Sequence, residues 1–315
     1  MQFGVHLPSF WNDYGTSTVR TAVEETARAA DALGFASVWA NDAVILPPDL
    51  PFVGDIDPLV TLASLIHLVP RLHLGVSVLV LPQRNAIVVA KQAAALDLFS
   101  QGRFILGVGI GWREAEFKFL GADFAHRGAI TDEAITLMRT LWREPRVSFQ
   151  GSTYSLTDAI FEPKPLRRDL PIWVGGNTTA AIRRAGQLGD AWLPMNLALD
   201  DFRAGVATLQ ANAVGQRRPL IAAEFFFRVD EAGKQTPVHD PFQAAIVYMS
   251  GTPDAIVEQL EPYRQAGLEY VVCGFSADSV DNMLHQMQVF AEQVMLQFAG
   301  YPGYICHPPP VGCDT

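Results

Sequence analysis

GRFILGVGIGWREAEFKFLG, residues 102–121, is an apolar run that opens into glycines at every second position. Side chains alternate across an extended strand, so Gly107, Gly109 and Gly111 would share one side of it. A side without side chains lets a flat ring or a phosphate come close to the backbone. A tight strand-to-helix turn satisfies the same spacing, and both readings stay open at this point. The dinucleotide-binding fingerprint fits poorly, because its third glycine would fall at Trp112 and the motif lies far from the first strand of the chain.

Outward from this run, short strand-like segments alternate with amphipathic helical ones in both directions. Before it come FGVHL (3–7), a helix over 18–34, ASVWA (36–40), a helix over 57–69, LHLGVSVLVL (72–81) and a helix over 85–100. After RFILGV (103–108) and a helix over 129–143, the rhythm breaks between 147 and 170, where prolines and glycines point to an irregular or hairpin insertion. It resumes with PIWVGG (171–176), a helix over 178–189, DAWLP (190–194), a helix over 200–214 and IAAEFFFRV (221–229). A helix over 252–267, EYVVCGF (269–275) and a helix over 278–298 complete eight strand-helix units. Eight such units predict an α/β fold of the (β/α)8 TIM-barrel type, one domain over 1–298 with the insertion after the fourth unit. An open doubly wound sheet is the competing architecture, and residues 299–315, rich in Pro and Gly, read as an irregular tail.

With 49% hydrophobic and 18% charged residues among 315, the chain has the composition of a compact enzyme-sized fold. A net charge of −10 argues against nucleic acid, whose phosphates are bound by clustered Lys and Arg. Three cysteines, Cys273, Cys306 and Cys313, are too few for a disulfide framework, and Cys273 inside an apolar run reads as a buried small hydrophobe. MQFGVHLPSF does not have the form of a signal peptide and no apolar run reaches a membrane span, so a cytoplasmic protein with no membrane partner is expected.

In a barrel the chemistry sits on the loops after the strands. His6 ends the first strand and is a candidate catalytic group, although a lone histidine often serves structure alone. Asp42 follows the second strand and could meet a ring or a substrate proton, or cap a turn. Gly175, Gly176 and Asn177 lead straight into a helix whose free amides suit a phosphate, and an N-cap turn accounts for them equally. Arg183 and Arg184 read as its solvated face. No histidines fall at metal-ligand spacing, so no metal is expected, and neither a nucleophile elbow nor a phosphate-binding glycine-lysine loop is present. Glycine-lined strand ends with few acids or bases suit a site where a cofactor carries the chemistry.

GFASVWANDAV, RLHLGVSVLVLPQRNAIVVAKQAAALDLFSQGRFILGVGIGW, FAHRGAITDEAITLMRTLW and PIWVGGNTTAAIRRAGQLGDAWLP, in this order, resemble the bacterial luciferase-like family of barrel oxidoreductases. The phrasing is most similar to its branch that uses the deazaflavin coenzyme F420. The resemblance implies a ring in the barrel mouth, against a bulge of the third strand at Ser77-Val78 that often holds a non-proline cis peptide. It further implies contacts of the ring with Gly109 and Gly111, of the phosphate tail with Gly175, Gly176 and Asn177, and a homodimer. Relatives commonly carry an Asp-His pair after the second strand, whereas this chain reads Asp42-Ala43, leaving Asp42 and His6 as the catalytic candidates. The expected function is F420-dependent hydride transfer to or from a small organic substrate. FMN-dependent monooxygenation is the alternative, and a cofactor-binding homologue without catalysis is a third reading.

Overall fold

The computed structural model describes residues 1–8, 18–46, 55–215, 217–230 and 248–299. The first half of the chain runs β1 (Gln2–His6), α1 (Val19–Leu33), β2 (Ser37–Ala40), α2 (Pro58–Leu65), β3 (His73–Val76), β4 (Leu79–Val80) and α3 (Ala86–Phe99). Then follow β5 (Phe104–Gly109), α4 (Glu114–Leu120), α5 (Arg127–Arg143), β6 (Val147–Gln150) and β7 (Ser155–Ala159). The second half has β8 (Ile172–Gly175), α6 (Thr179–Leu188), β9 (Ala191–Leu193), α7 (Leu199–Asn212) and β10 (Leu220–Val229). It ends with β11 (Tyr248–Gly251), α8 (Pro253–Gln265), β12 (Tyr270–Phe275) and α9 (Val280–Val289).

Strands β1, β2, β3, β5, β8, β9, β10 and β12 pair in parallel in that order, and β12 pairs back onto β1. The sheet is therefore a closed (β/α)8 barrel, and the open-sheet alternative is excluded. Alternation sorts each strand into two faces. Outward residues such as Val5, Val38, Leu106, Phe225 and Cys273 pack under the helices, and inward ones fill the barrel with Trp39, Trp173, Tyr270 and their neighbours. Trp39 and Trp173 lie 4.9 Å apart, Tyr270 meets Trp173 edge-on at 5.1 Å, and Ser37 Oγ bridges the Trp39 indole and the Tyr270 hydroxyl at 2.5 Å each. Trp39 leaves no room for a side chain at position 75, where a Cβ would lie 2.3 Å from its ring.

Several helices begin on a side-chain cap. Asp57 accepts the N–H groups of Leu59 and Val60 ahead of α2, Asn85 those of Ile87 and Val88 ahead of α3, and Thr178 that of Ala181 in α6. The 147–170 segment holds an antiparallel hairpin, β6 with β7, followed by a cis Glu162-Pro163 bond. Several features depart from the sequence reading: α4 forms between RFILGV and the helix expected over 129–143, α2 ends at Leu65 although expected to reach 69, and the third strand, expected over 72–81, is interrupted after Val76. β11 extends the sheet beside the upper half of β10, and the last helix is α-helical only to Val289, continuing as a wider turn over Phe290–Val294 and a tighter one over Met295–Phe298. Residues 300–315, and with them Cys306 and Cys313, lie outside the described residues.

Arg184 corrects the expected helix face: Arg183 is exposed, but Arg184 is buried and bonds Asp132 and the Gly128 carbonyl of α5. Cys273 is buried as expected, and burial pushes its thiol well above the ordinary range. Native protein treated with a thiol reagent at neutral pH should leave Cys273 unmodified by peptide mass spectrometry, and modification should appear only after denaturation.

Candidate active site

From Gly75 opposite Ile105 to Leu79 opposite Val108, the third-strand line advances four residues while β5 advances three, so one extra residue is accommodated as a bulge. The Ser77-Val78 peptide inside it is cis. Around this bulge the neighbouring strands carry glycine. A Cβ on Gly107 would lie 1.9 Å from the Val76 carbonyl oxygen, one on Gly109 2.5 Å from Val78 Cγ2, and one on Gly175 2.7 Å from Val78 Cγ1. The space that the spacing of these glycines left for a ring is thus taken by the bulge itself. Gly111 lies past the end of β5 with φ +72°, and a Cβ there would meet Val80 and Phe117 at 2.6 and 2.8 Å, so this glycine serves the turn. What faces the mouth is Val78, half-buried in a run whose neighbours from Leu72 to Val80 are buried.

Beside the bulge lies a buried polar cluster. His6 at the end of β1 and Glu224 on β10 are both on the inward alternation, and His6 Nε2 stands 2.9 Å from Glu224 Oε1, close but out of line for a hydrogen bond. The Ser77 hydroxyl donates to Glu224 Oε2 at 2.7 Å. The His6 and Glu224 side chains are 7% and 9% exposed, and His6 Nδ1 has no hydrogen-bond partner among the described residues. A buried carboxylate needs such partners, and a buried polar atom without one is unusual in a folded protein. Glu224 was not among the residues singled out from sequence.

Asp42, expected either to meet a ring or a substrate proton or to cap a turn, is held by an arginine and a backbone amide. Its side chain is 1% exposed; one oxygen takes an Arg84 N–H at 2.6 Å, and the other the Val80 amide at 2.9 Å and Arg84 Nε at 3.3 Å. Arg84 also reaches Asp57, the cap of α2, at 3.2 Å. Burial pushes the Asp42 carboxyl above its ordinary range, opposed by the Arg84 guanidinium. A raised pKa suits an acid catalyst, but both oxygens are committed to tying the loop after β2 to the turn after β4, and Ala43 beside it is buried. Asp42→Asn should therefore lower stability by about 2 kcal/mol, read from the urea midpoint, while kcat falls less than about tenfold.

At the next strand ends, Gly176 has φ +123°, residues 176–180 are exposed, and Asn177 bonds Met195 twice, through its amide to the carbonyl at 2.7 Å and its oxygen to the N–H at 2.9 Å. These residues lead into the first turn of α6, where the Thr178 side chain takes the Ala181 N–H and residues 179 and 180 are exposed. Asn196, with φ +48°, donates its backbone N–H to the Glu224 carbonyl at 2.9 Å, and both polar atoms of its side chain are buried without a hydrogen-bond partner among the described residues. The mouth thus brings together His6, Ser77, Val78 and Glu224, sets Gly175–Asn177 at its rim, and keeps Asp42 for structure. Among the described residues, no group of three His, Cys, Asp or Glu side chains could hold a metal ion.

This barrel is shared with enzymes of known structure. An F420-dependent secondary alcohol dehydrogenase, in complex with an F420-acetone adduct, matches with a TM-score of 0.78 at 19% identity over 93% of this chain and 98% of its own. The oxygenating constituent of 3,6-diketocamphane monooxygenase from Pseudomonas putida, in complex with FMN, matches with a TM-score of 0.77 at 15% identity, over 93% and 98%. In sequence, the phthiodiolone/phenolphthiodiolone dimycocerosates ketoreductase of Mycobacterium tuberculosis is 28% identical, over 78% of this chain and 84% of its own. The family model described as luciferase-like monooxygenase matches residues 1–235, and the chain belongs to that family of oxidoreductases and monooxygenases.

Proposed function

We propose that the protein is an F420-dependent oxidoreductase that interconverts a carbonyl and an alcohol on a small organic substrate, with His6 and Glu224 handling the proton. The observation that carries this reading is the buried His6–Glu224–Ser77 cluster beside the Val78 step. Support also comes from the ketoreductase named above and from the fold shared with the F420-dependent alcohol dehydrogenase. The half-buried Val78, the unpartnered Asn196 amide and the exposed start of α6 fit a flat, polar-edged ring that carries a phosphate. Ser77 and Val78, backed by Gly109 and Gly175, would form the wall for the ring, and Gly176, Asn177 and the start of α6 would hold the tail. A bound deazaflavin supplies or accepts the hydride.

The chain's own part is the proton. His6 Nδ1, buried and without a partner, is the atom left to exchange a proton with a substrate oxygen. Glu224 lies against Nε2 and stabilises the charged imidazole, while Ser77 holds the other carboxylate oxygen in place. Phe226, stacked 6.1 Å from the His6 ring, keeps water from that side.

The second reading, an FMN-dependent monooxygenase using reduced flavin and oxygen, is supported by the FMN-bound neighbour and by a Val78 wall that offers no charge to tell one ring from the other. Titrating the purified protein into F420 and into FMN, with cofactor fluorescence as the readout, separates the two. Saturable F420 binding supports the first; FMN binding without F420 binding overturns it. Binding of either without turnover across a carbonyl and alcohol panel would favour a non-catalytic homologue. Val60, Val88 and Phe99, exposed on α2 and α3, support a homodimer as the partner, which sedimentation velocity tests.

A further inference from the structure

Along β10, odd-numbered residues pack under the helices and the inward column runs Leu220, Ala222, Glu224, Phe226 and Arg228 from floor to mouth. The proton cluster uses Glu224, and nothing so far uses the two positions above it. Phe226 is half-buried; its ring stacks on His6 with the planes 7° apart and meets Tyr248 of β11 edge-on at 6.3 Å. Arg228 is also half-buried, with its guanidinium 5.0 Å from the centre of the Tyr248 ring and one N–H directed at Ser276 Oγ at 3.4 Å.

Arg84, Arg139, Arg167 and Arg184 each hold an Asp, while the half-buried Arg103 and Arg127 spend their donors on backbone carbonyls. Arg228 forms no ion pair with a carboxylate among the described residues, and its Nε is buried without a partner. A guanidinium positioned by an aromatic face, partly desolvated and outside any such pair, keeps its donors for a planar or tetrahedral anion. It stands four residues beyond Glu224, about 13 Å along the strand, with the Phe226 ring between.

We propose that the substrate carries an anionic group, a carboxylate or a phosphate, bound by Arg228 and separated from the reacting carbon by an apolar segment lying along Phe226. This assignment rests on the oxidoreductase reading and names the substrate class it acts on. An apolar link between the two ends follows from the side chains on offer, since no polar group of β10 lies between Glu224 and Arg228 on the inward face.

Isothermal titration of the full chain with octanoate, octyl phosphate and the neutral octanamide tests it, each against wild type, Arg228→Met and Arg228→Lys. At least one anion should bind wild type about 10- to 100-fold more tightly than the amide. Arg228→Met should lose that preference with its affinity for the amide unchanged, and Arg228→Lys should keep part of it. Arg228→Gln makes the same comparison should the Met variant fold poorly. Equal binding of anion and amide, a preference that survives in Arg228→Met, or no binding of any of the three probes overturns the assignment. Because these titrations contain no cofactor, failure to bind F420 would sink the oxidoreductase reading separately, whereas a protein that binds F420 without an anion preference would sink only the role of Arg228.

Discussion

Gly107→Ala is expected to destabilise the barrel by about 3 kcal/mol, at the top of the range for overpacking, or to prevent accumulation of folded protein. The new methyl would lie 1.9 Å from the Val76 carbonyl oxygen and 3.1 Å from its carbon. Both are backbone atoms, so no rotamer relieves the contact. β5 would have to draw away from β3 at the point where the bulge begins, loosening the register on either side of it and moving Val78. Gly109→Ala meets a methyl of Val78 at 2.5 Å, which can turn or shift, and should cost about half as much. Urea unfolding of both variants gives the ranking. A Gly107→Ala protein within about 0.5 kcal/mol of wild type would mean that the strands do not approach as described.

His6→Ala and Glu224→Gln are expected to lower kcat for carbonyl reduction by about 10²- to 10⁴-fold, the usual contribution of a positioned acid or base. Each removes a different part of one device. Without the imidazole, nothing is left at the end of β1 to exchange the proton; in the Glu224→Gln variant, the charged imidazole loses the carboxylate 2.9 Å away. Because the two act as a unit, the double variant should be little worse than the poorer single one. F420 affinity by fluorescence should be nearly unchanged in all three, since neither side chain belongs to the proposed ring wall. A loss of less than about tenfold in both single variants would remove the cluster from the chemistry.

The barrel was legible in the sequence because alternation and helical spacing are local properties. Seven of the eight strands fall within a residue or two of their expected places, as with RFILGV against Phe104–Gly109, while the third, expected over 72–81, is interrupted after Val76 and resumes at Leu79. The resemblance pointed to Ser77-Val78, and the bulge is there. The glycine spacing reads as room for a ligand or as a tight turn, and spacing alone cannot reveal that the group brought close is another strand. At Gly107, Gly109 and Gly175 it is the protein's own Val76 and Val78.

The site was less legible, because its side chains meet across long stretches of chain. Asp42 and Arg84 lie in separate loops, and only the fold joins them into an ion pair. Glu224 is 218 positions from His6, yet it left a signal. A single carboxylate inside IAAEFFFRV, on a strand otherwise apolar up to Phe227, must be partnered or functional, since burying it alone is too costly. Arg184 misled for the opposite reason: beside the exposed Arg183 it reads as a solvated face, while α5 supplies the Asp132 that buries it. β11 carries too short a run, YMSG, to announce itself.

The central claim is that the Val78 step and the His6–Glu224 cluster form one site, with a deazaflavin ring on the first and the substrate oxygen at the second. A crystal structure of the protein with F420 and a carbonyl inhibitor tests this most directly. The account predicts the ring against Val78, the phosphate at the start of α6, and the inhibitor oxygen within hydrogen-bond reach of His6. A ring bound away from Val78, or an inhibitor oxygen held by other groups with His6 and Glu224 facing only each other, would contradict it.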